Sequence, residues 1–147
     1  MKTSLLVRLA NGGDVAAIRS FDQIAHSCER RRCFIRQAVE AETCYVAVAS
    51  GQVIGYGVLA YSFFDNGCVD MLYVDSGHRR RGAGSAILKH IESACRTAKL
   101  FTSTNLSNLP MQSLLVREGF HLCGTVYGLD PGDPELFYLK QVDQNAE

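Results

Sequence analysis

A run of arginines leads directly into closely spaced glycines at Arg79-Arg80-Arg81-Gly82-Ala83-Gly84-Ser85, just after the β-rich stretch Val69-Asp70-Met71-Leu72-Tyr73-Val74. A strand that ends in such a loop and opens a helix makes an anion site. Glycine lets the backbone approach a ligand closely, successive N–H groups point at it, and the helix N-terminus adds a positive partial charge. The chemistry implied is the holding of phosphate, mainly through backbone amides. Two common phosphate loops are excluded by the residues themselves. A Walker A loop needs Gly-Lys-Ser/Thr, whereas Gly82 is followed by Ala83-Gly84. A dinucleotide fingerprint needs a third small residue where Ile87 stands, and an acidic residue further along a βαβ unit that this sequence does not supply.

Inside the preceding strand, alternation puts Asp70 on one face with Cys68, Leu72 and Val74. A charge within a central strand is costly unless it is paired or solvated, which makes Asp70 the best-placed general base. The alternative is that it pairs with a neighbouring arginine or caps a strand edge. The second arginine run, Arg30-Arg31-Arg32 with Arg36, reads as capping or solvating a helix, with lining of a substrate cleft as its alternative. The six cysteines (Cys28, Cys33, Cys44, Cys68, Cys95 and Cys123) include no Cys-x-x-Cys pair. They read as reduced, buried small hydrophobes rather than a metal site, and Cys123 as core rather than nucleophile. His78, His90 and His121 show no spacing that supports a catalytic triad.

The elements that position these residues follow from periodicity and turn chemistry. Leu5 to Leu9 reads as a strand, and Asn11-Gly12-Gly13-Asp14 as a turn ending in a helix cap. Val15, Ile18, Phe21, Ile24 and Ala25 keep helical spacing. A second helix is expected from about Arg30 to Ala41. Cys44–Ala49 and Val53–Phe63 are strands around the hairpin signal Ser50-Gly51-Gln52, and Asp65-Asn66-Gly67 is a second hairpin signal with its tight turn at Asn-Gly. A strand from Cys68 to Val74, the loop Asp75 to Arg81 and a helix from about Gly82 to Thr97 follow. Leu100 to Thr104 is a short strand. Asn108 is a good N-cap, with Pro110 tolerated in the first turn and Gly119 as the stop. Phe120–Tyr127 and Glu135–Lys140 are the last strands, around the acidic turn Asp130-Pro131-Gly132-Asp133-Pro134-Glu135. That turn is read either as a set of side-chain-to-backbone hydrogen bonds or as an acidic rim. The order is βααβββαβαββ, an α+β mixed-sheet domain over residues 1–142 with a frayed tail at 143–147.

At 147 residues the chain fits one domain with a proper core. Lys+Arg and Asp+Glu both number 15, so net charge gives no pull toward nucleic acid or anionic membrane. The apolar stretch near the N-terminus is too short for a signal peptide, and no run approaches the roughly 20 apolar residues of a membrane span. The expected compartment is the cytoplasm.

The segment Arg79-x-x-Gly82-x-Gly84 resembles the Arg/Gln-x-x-Gly-x-Gly/Ala loop of the GNAT superfamily of acyl-CoA N-acyltransferases. Leu72-Tyr73-Val74 is similar to that family's fourth strand, and Asn108 to Gly119-Phe120 to its fourth helix and entry to the sixth strand. The final turn resembles a poorly characterised bacterial subgroup, a likeness that names no substrate. The resemblance implies a GNAT fold: a central, mixed, mostly antiparallel sheet with splayed fourth and fifth strands and four flanking helices. It implies acetyl-CoA as cosubstrate, held by the backbone from Arg80 to Ser85 around Arg79, Arg81, Gly82, Ala83 and Gly84. Leu72 and Val74 would pair with the pantetheine arm, an amide near Leu72 or Tyr73 would polarise the thioester carbonyl, and Asn108 would lie near the CoA arm. Acetyl would pass directly to a primary amine, small molecule or peptide, in a ternary complex of a monomer or homodimer. One departure stands out. Leu115 occupies a position where many members carry a Tyr that reprotonates the CoA thiolate, leaving water, Ser113, Tyr127 or Tyr138 for that task. The rival readings are a catalytically silent CoA-binding module and a small interaction domain whose glycine loop is only a helix cap.

Overall fold

The computed structural model describes residues 4–142. Its elements are β1 (Leu5–Leu9), α1 (Val15–Phe21), α2 (Glu29–Glu40), β2 (Cys44–Ala49), β3 (Gln52–Phe63), β4 (Asn66–Val74), α3 (Ala83–Ala94), β5 (Lys99–Asn105), α4 (Leu109–Arg117), β6 (His121–Val126) and β7 (Glu135–Gln141). The strands hydrogen-bond in the order β1-β2-β3-β4-β5-β7-β6. The β4–β5 pair is parallel, whereas β1–β2, β2–β3, β5–β7 and β6–β7 are antiparallel. This is the expected mixed sheet with four helices. The tail at 143–147 falls outside the described residues. The chain divides into two compact units, the first running to Leu59 and including Met71–Ile91, the second comprising Ala60–Asp70 and the chain from Glu92 onward.

In the first unit, Asn11 accepts from Gly13 N and Asp14 reaches back to Asn11 N, a reciprocal cap that turns β1 into the helical segment. Arg8 holds the buried Asp14 at 2.8 Å and keeps its carboxyl below the usual range. The periodic run from Val15 does not continue as α-helix to Ala25. Asp22 leaves helical backbone, and its side chain accepts from Ile24 N and Ala25 N, starting a separate 3-10 turn at Gln23–His26. An aspartate competes with the helix ladder by bonding the backbone two and three residues on, so the apolar spacing survived where the helix did not. Ile18, Ile35, Val39, Val46, Tyr56 and Val58 form the buried cluster between α1, α2 and the strands. Helix α3 presses on β3 at two glycines. A Cβ on Gly57 would lie 2.6 Å from Ile87 Cγ2, and one on Gly55 would lie 3.3 Å from Ile87 Cδ1.

In the second unit the β3–β4 hairpin turns at Phe64 and Asp65, whose φ values are 53° and 65°. The Asn-Gly pair expected to make that turn instead begins β4. Gly67 is glycine for another reason: a Cβ there would meet Cys95 Sγ at 2.5 Å. The rings of Phe63, Phe101 and Phe137 pack together, with Phe63 4.8 Å from Phe101 and 5.7 Å from Phe137. Asn108 caps α4 by accepting from Met111 N, as expected. The helix ends at Gly119, whose φ is 91°, while Lys140 Nζ donates to Glu118 O at 2.7 Å and to Glu92 at 2.9 Å. Leu115 is fully buried. The edge strand β6 is exposed along its whole length, so Cys123 is exposed rather than core. Of the six cysteines expected to be buried only Cys44 and Cys95 are: Cys28 and Cys33 sit at and in the first turns of α2, and Cys68 and Cys123 lie on strands at positions that stay partly or fully exposed.

Candidate active site

The phosphate-loop reading places the key segment in the first unit, where β4 ends and α3 begins. Asp75 accepts from Gly77 N and from the His78 ring, folding the start of the loop into a short turn. Arg79 Nε donates to Val74 O at 3.0 Å, and its guanidinium lies 5.5 Å from the centre of the Tyr73 ring. Arg80 adopts φ 64° and Gly82 φ 89°. A left-handed arginine is uncommon, since its Cβ crowds the backbone, and here it lets the chain reverse into the helix. No neighbouring atom lies within 4 Å of a Cβ built on Gly82, so the loop's outer surface is open. The first loop-to-helix bond runs from Ala86 N to Gly82 O. The amides of Gly82, Ala83 and Gly84 lie ahead of that bond, where a helix cannot satisfy its own donors. Arg79, Arg80 and Arg81 are exposed around them. Among the described residues neither Arg80 nor Arg81 has a hydrogen bond or ion pair. This arrangement fits an anionic diphosphate.

Strand β4 adds a second feature. Tyr73 O and Met71 O point at β3, since they approach the Cβ positions of Gly55 and Gly57 at 3.2 and 3.4 Å. Backbone groups alternate along a strand, so those of Leu72 and Val74 face the opposite edge. Pairing of β4 with β5 covers Gly67 to Val69 and stops there. Leu72 therefore presents backbone N–H and C=O on an edge that no strand pairs at that position among the described residues. The carbonyl of Val74 on the same edge is held by Arg79. Tyr73, by contrast, turns its backbone to β3, and its hydroxyl accepts from Gln23 N at 3.2 Å.

Asp70, in the second unit's part of β4, is exposed. Desolvation by the surrounding strand raises its carboxyl above the ordinary value, a rise opposed by a hydrogen bond with Cys68. No ion pair with an arginine forms among the described residues. Burial pushes the Cys68 thiol up to about 12, with Asp70 adding to the rise, so that thiol stays protonated and un-nucleophilic. Cys123 is likewise raised by desolvation. Of the hydroxyls considered as acids, Ser113 and the buried Tyr138 line one shallow recess with Gln112, Val116 and Arg117. Tyr127 lies exposed after β6.

The carboxylates of the acidic turn are all engaged. Asp130 accepts from Asn105 Nδ2 at 3.0 Å, Asp133 from Ser107 N and Oγ at 3.0 and 2.6 Å, and Glu135 from Ser103 Oγ at 2.7 Å. The arginine run on α2 also separates. Arg30 is exposed, Arg32 donates to Ala25 O at 2.7 Å and pairs with Glu29, and Arg31 points to Asp22. Sequence reasoning missed Asp22 altogether. Its signal was available: an Asp at the end of an apolar helical run, followed by further apolar residues, is a capping residue in a buried place.

Residues 15–120 match the model of the acetyltransferase (GNAT) family. No curated protein sequence matches. A GNAT-family acetyltransferase from Bacillus cereus is 29% identical and superposes with a TM-score of 0.90 over 96% of this chain and 99% of its own. The ribosomal-protein-S18-alanine N-acetyltransferase of Escherichia coli shares the fold at 17% identity, with a TM-score of 0.80 over 98% of this chain and 97% of its own. So does an acetyltransferase of Salmonella typhimurium solved with its cofactor acetyl-CoA, at 18% identity, with a TM-score of 0.76 over 97% of this chain and 96% of its own. With a matching family model over most of its length, the chain belongs to the GNAT family and is an acetyl-CoA-dependent N-acyltransferase.

Proposed function

We propose that the protein transfers acetyl from acetyl-CoA directly to a primary amine bound beside β4. The observation that supports this most is the pairing of an open glycine loop with the free edge of Leu72 in the same unit. The amides of Gly82, Ala83, Gly84 and Ser85 would hold the diphosphate, with Arg79, Arg80 and Arg81 supplying positive charge around it. The outward N–H and C=O of Leu72 would bond the pantetheine arm as a neighbouring strand would. Acetyl-CoA supplies a thioester whose carbon the amine attacks. An N–C bond forms, the C–S bond breaks, and negative charge gathers on the carbonyl oxygen during the transfer. Leu72 N–H would stabilise that charge, in preference to Tyr73, whose backbone is turned to β3. Asp70 takes the proton that frees the amine's lone pair; its raised affinity for protons suits a base working near neutrality better than an ordinary carboxylate would. With the apolar Leu115 at the family's tyrosine position, the thiolate takes its proton from solvent, which also receives the second proton the nitrogen sheds as the amide forms. Asn108 spends its side-chain oxygen on capping α4 and is not given a role in the transfer. The free cysteines suit a reducing compartment, and we place the reaction in the cytoplasm. The direct test is calorimetric titration with CoA together with thiol release from acetyl-CoA across a panel of amines. Absence of both binding and amine-dependent release would overturn the proposal.

A further inference from the structure

At the turn that ends α1, a buried carboxylate and an arginine meet three aromatic rings beside the reacting strand. Asp22 is completely buried. It accepts from Tyr56 Oη at 2.6 Å, from Ile24 N at 3.1 Å and from Ala25 N at 3.4 Å. Burial and the bond to Asp22 push the Tyr56 hydroxyl well above its usual range, so it remains a donor. Arg31 Nε stands 3.2 Å from Asp22 Oδ2, but off the line of a good hydrogen bond. Asp22 therefore has its hydrogen bonds without Arg31, and the arginine supplies only the balancing charge.

The guanidinium, in turn, is poorly used by the protein. Its Nη1 reaches only Met71 Sδ at 3.6 Å, a weak acceptor. Nη2 has no acceptor among the described residues. The carboxylates of its own helix look elsewhere, Glu29 to Arg32 and Glu40 to Arg36. The side chain keeps 15% of its surface accessible. Met71 is the residue before Leu72, so this cation reaches β4 one residue from the proposed transfer position. On the Asp22 side, Tyr56, which bonds that carboxylate, stands with the rings of Phe21 and Tyr73 at centroid separations of 6.3 Å, and Ile24, whose N–H also bonds Asp22, is half exposed. An arginine that a buried carboxylate holds at its inner edge, with Nη1 on a weak sulfur acceptor and Nη2 without an acceptor among the described residues, can receive a planar anion by two parallel N–H···O bonds.

We propose that Arg31, fixed by the positioning residue Asp22, binds a carboxylate on the acceptor, so that the substrate is an amino acid acetylated on its amine. The proposal rests on the acetyl-transfer reading above and names that site's acceptor class. The experiment compares the common L-amino acids as free acids and as α-amides, following thiol release from acetyl-CoA, with CoA affinity measured separately by calorimetry. The expected result is faster acetylation of at least one free acid than of its amide. Arg31→Met should lower kcat/KM for that acid about 10- to 100-fold, the range of a lost charge-assisted contact, chiefly through KM. Its effect on the amide and on CoA affinity should be small. Arg31→Lys, which keeps the charge beside Asp22, should recover part of the loss, and Asp22→Asn should raise KM for the acid with kcat little changed. Should Arg31→Met fail to fold with Asp22 left uncompensated, Asp22→Asn with Arg31→Met removes both charges and gives the same readout. Equal rates on acids and amides, or a ratio that the variants leave unchanged, overturns the proposal. So does failure to acetylate any free acid while CoA still binds, an outcome that leaves the donor reading standing. A wild-type protein that does not bind CoA removes that reading and this one together.

Discussion

The connection from Asp75 to Gly82 in the first unit and the turn from Leu129 to Glu135 in the second are both charged, glycine-bearing and close to strand ends. Their side chains behave oppositely. In the acidic turn Asp130, Asp133 and Glu135 are consumed by Asn105, Ser107 and Ser103, which ties the turn to the end of β5. In the basic loop Asp75 is spent on Gly77 N and His78, but of the three arginines only Arg79 is engaged among the described residues, by Val74 O and the Tyr73 ring. A charged group marks a binding surface when the fold leaves its hydrogen-bonding capacity unspent, and a run of like charges in sequence does not say whether it is spent. The same contrast separates Asp70, which has no ion pair among the described residues, from Asp22, which accepts three hydrogen bonds.

The comparison breaks most readily at the loop. Gly82→Glu should abolish CoA binding in calorimetry while leaving circular dichroism unchanged. The space at that Cβ is open, but the new carboxylate would stand where phosphate is drawn, and φ 89° would be strained for any side chain. A variant that binds CoA normally would return the loop to the rank of the acidic turn. Asp70→Asn comes next, with turnover expected to fall about 10²-fold, the usual scale of a general base, and CoA affinity unaltered. The sign of its titration makes the test sharper. The base works ionised, so wild-type activity should fall as pH drops through a pKa above the ordinary carboxylate value. A carboxyl whose folded pKa is raised contributes stability below its unfolded pKa and loses it as pH rises through the folded one. Thermal melting of Asp70→Asn at neutral pH should therefore match or exceed wild type. A lower melting temperature would make Asp70 structural, like Asp22.

Smaller effects are expected elsewhere in the second unit. Leu115→Tyr inserts a hydroxyl and extra volume at a fully buried position, an overpacking that costs about 1–3 kcal/mol in denaturant unfolding. An unaltered midpoint would mean that the position has room for an acid after all. The least effect belongs to the acidic turn. Asp133→Asn and Glu135→Gln should lower the melting temperature slightly and leave the amine KM unchanged, with added salt equally without effect on KM. A KM that rises with salt would restore the rim as a recruiting surface.

The element order and most boundaries were readable because hydrophobic periodicity and caps agree locally: Leu5–Leu9, Cys44–Ala49 and the Asn108 cap all stand where periodicity and capping put them. The misses have a common cause. Asn66-Gly67 carries the strongest local turn signal, yet Gly67 is required by the nearby Cys95 sulfur and the turn falls on Phe64 and Asp65. Tertiary packing overrode turn propensity. Asp22 was missed for the converse reason: its capping position was legible, but the distant Tyr56 and Arg31 that complete it were not. Within the proposed site, the strand–loop–helix order around Gly82 could be read from spacing alone. Choosing Leu72 over Tyr73 needed the register of β4 against the β3 glycines, which alternation does not fix without a partner strand.

Those glycines have a consequence for how donor affinity can drift without any change at the donor site. Ile87 of α3 rests so close to Gly57 that the helix can approach β3 only while that position lacks a side chain. A single methyl there would lift the axis of α3 outward, and the amides at its N-terminus would move with it as a rigid body. The backbone cradle would then be displaced by a few tenths of an ångström or more, with every loop residue still in place. Gly57 thus acts as a remote calibration point: substitutions scored as mere packing defects would register as weakened nucleotide-tail recognition, and compensating trims at Ile87 would restore it.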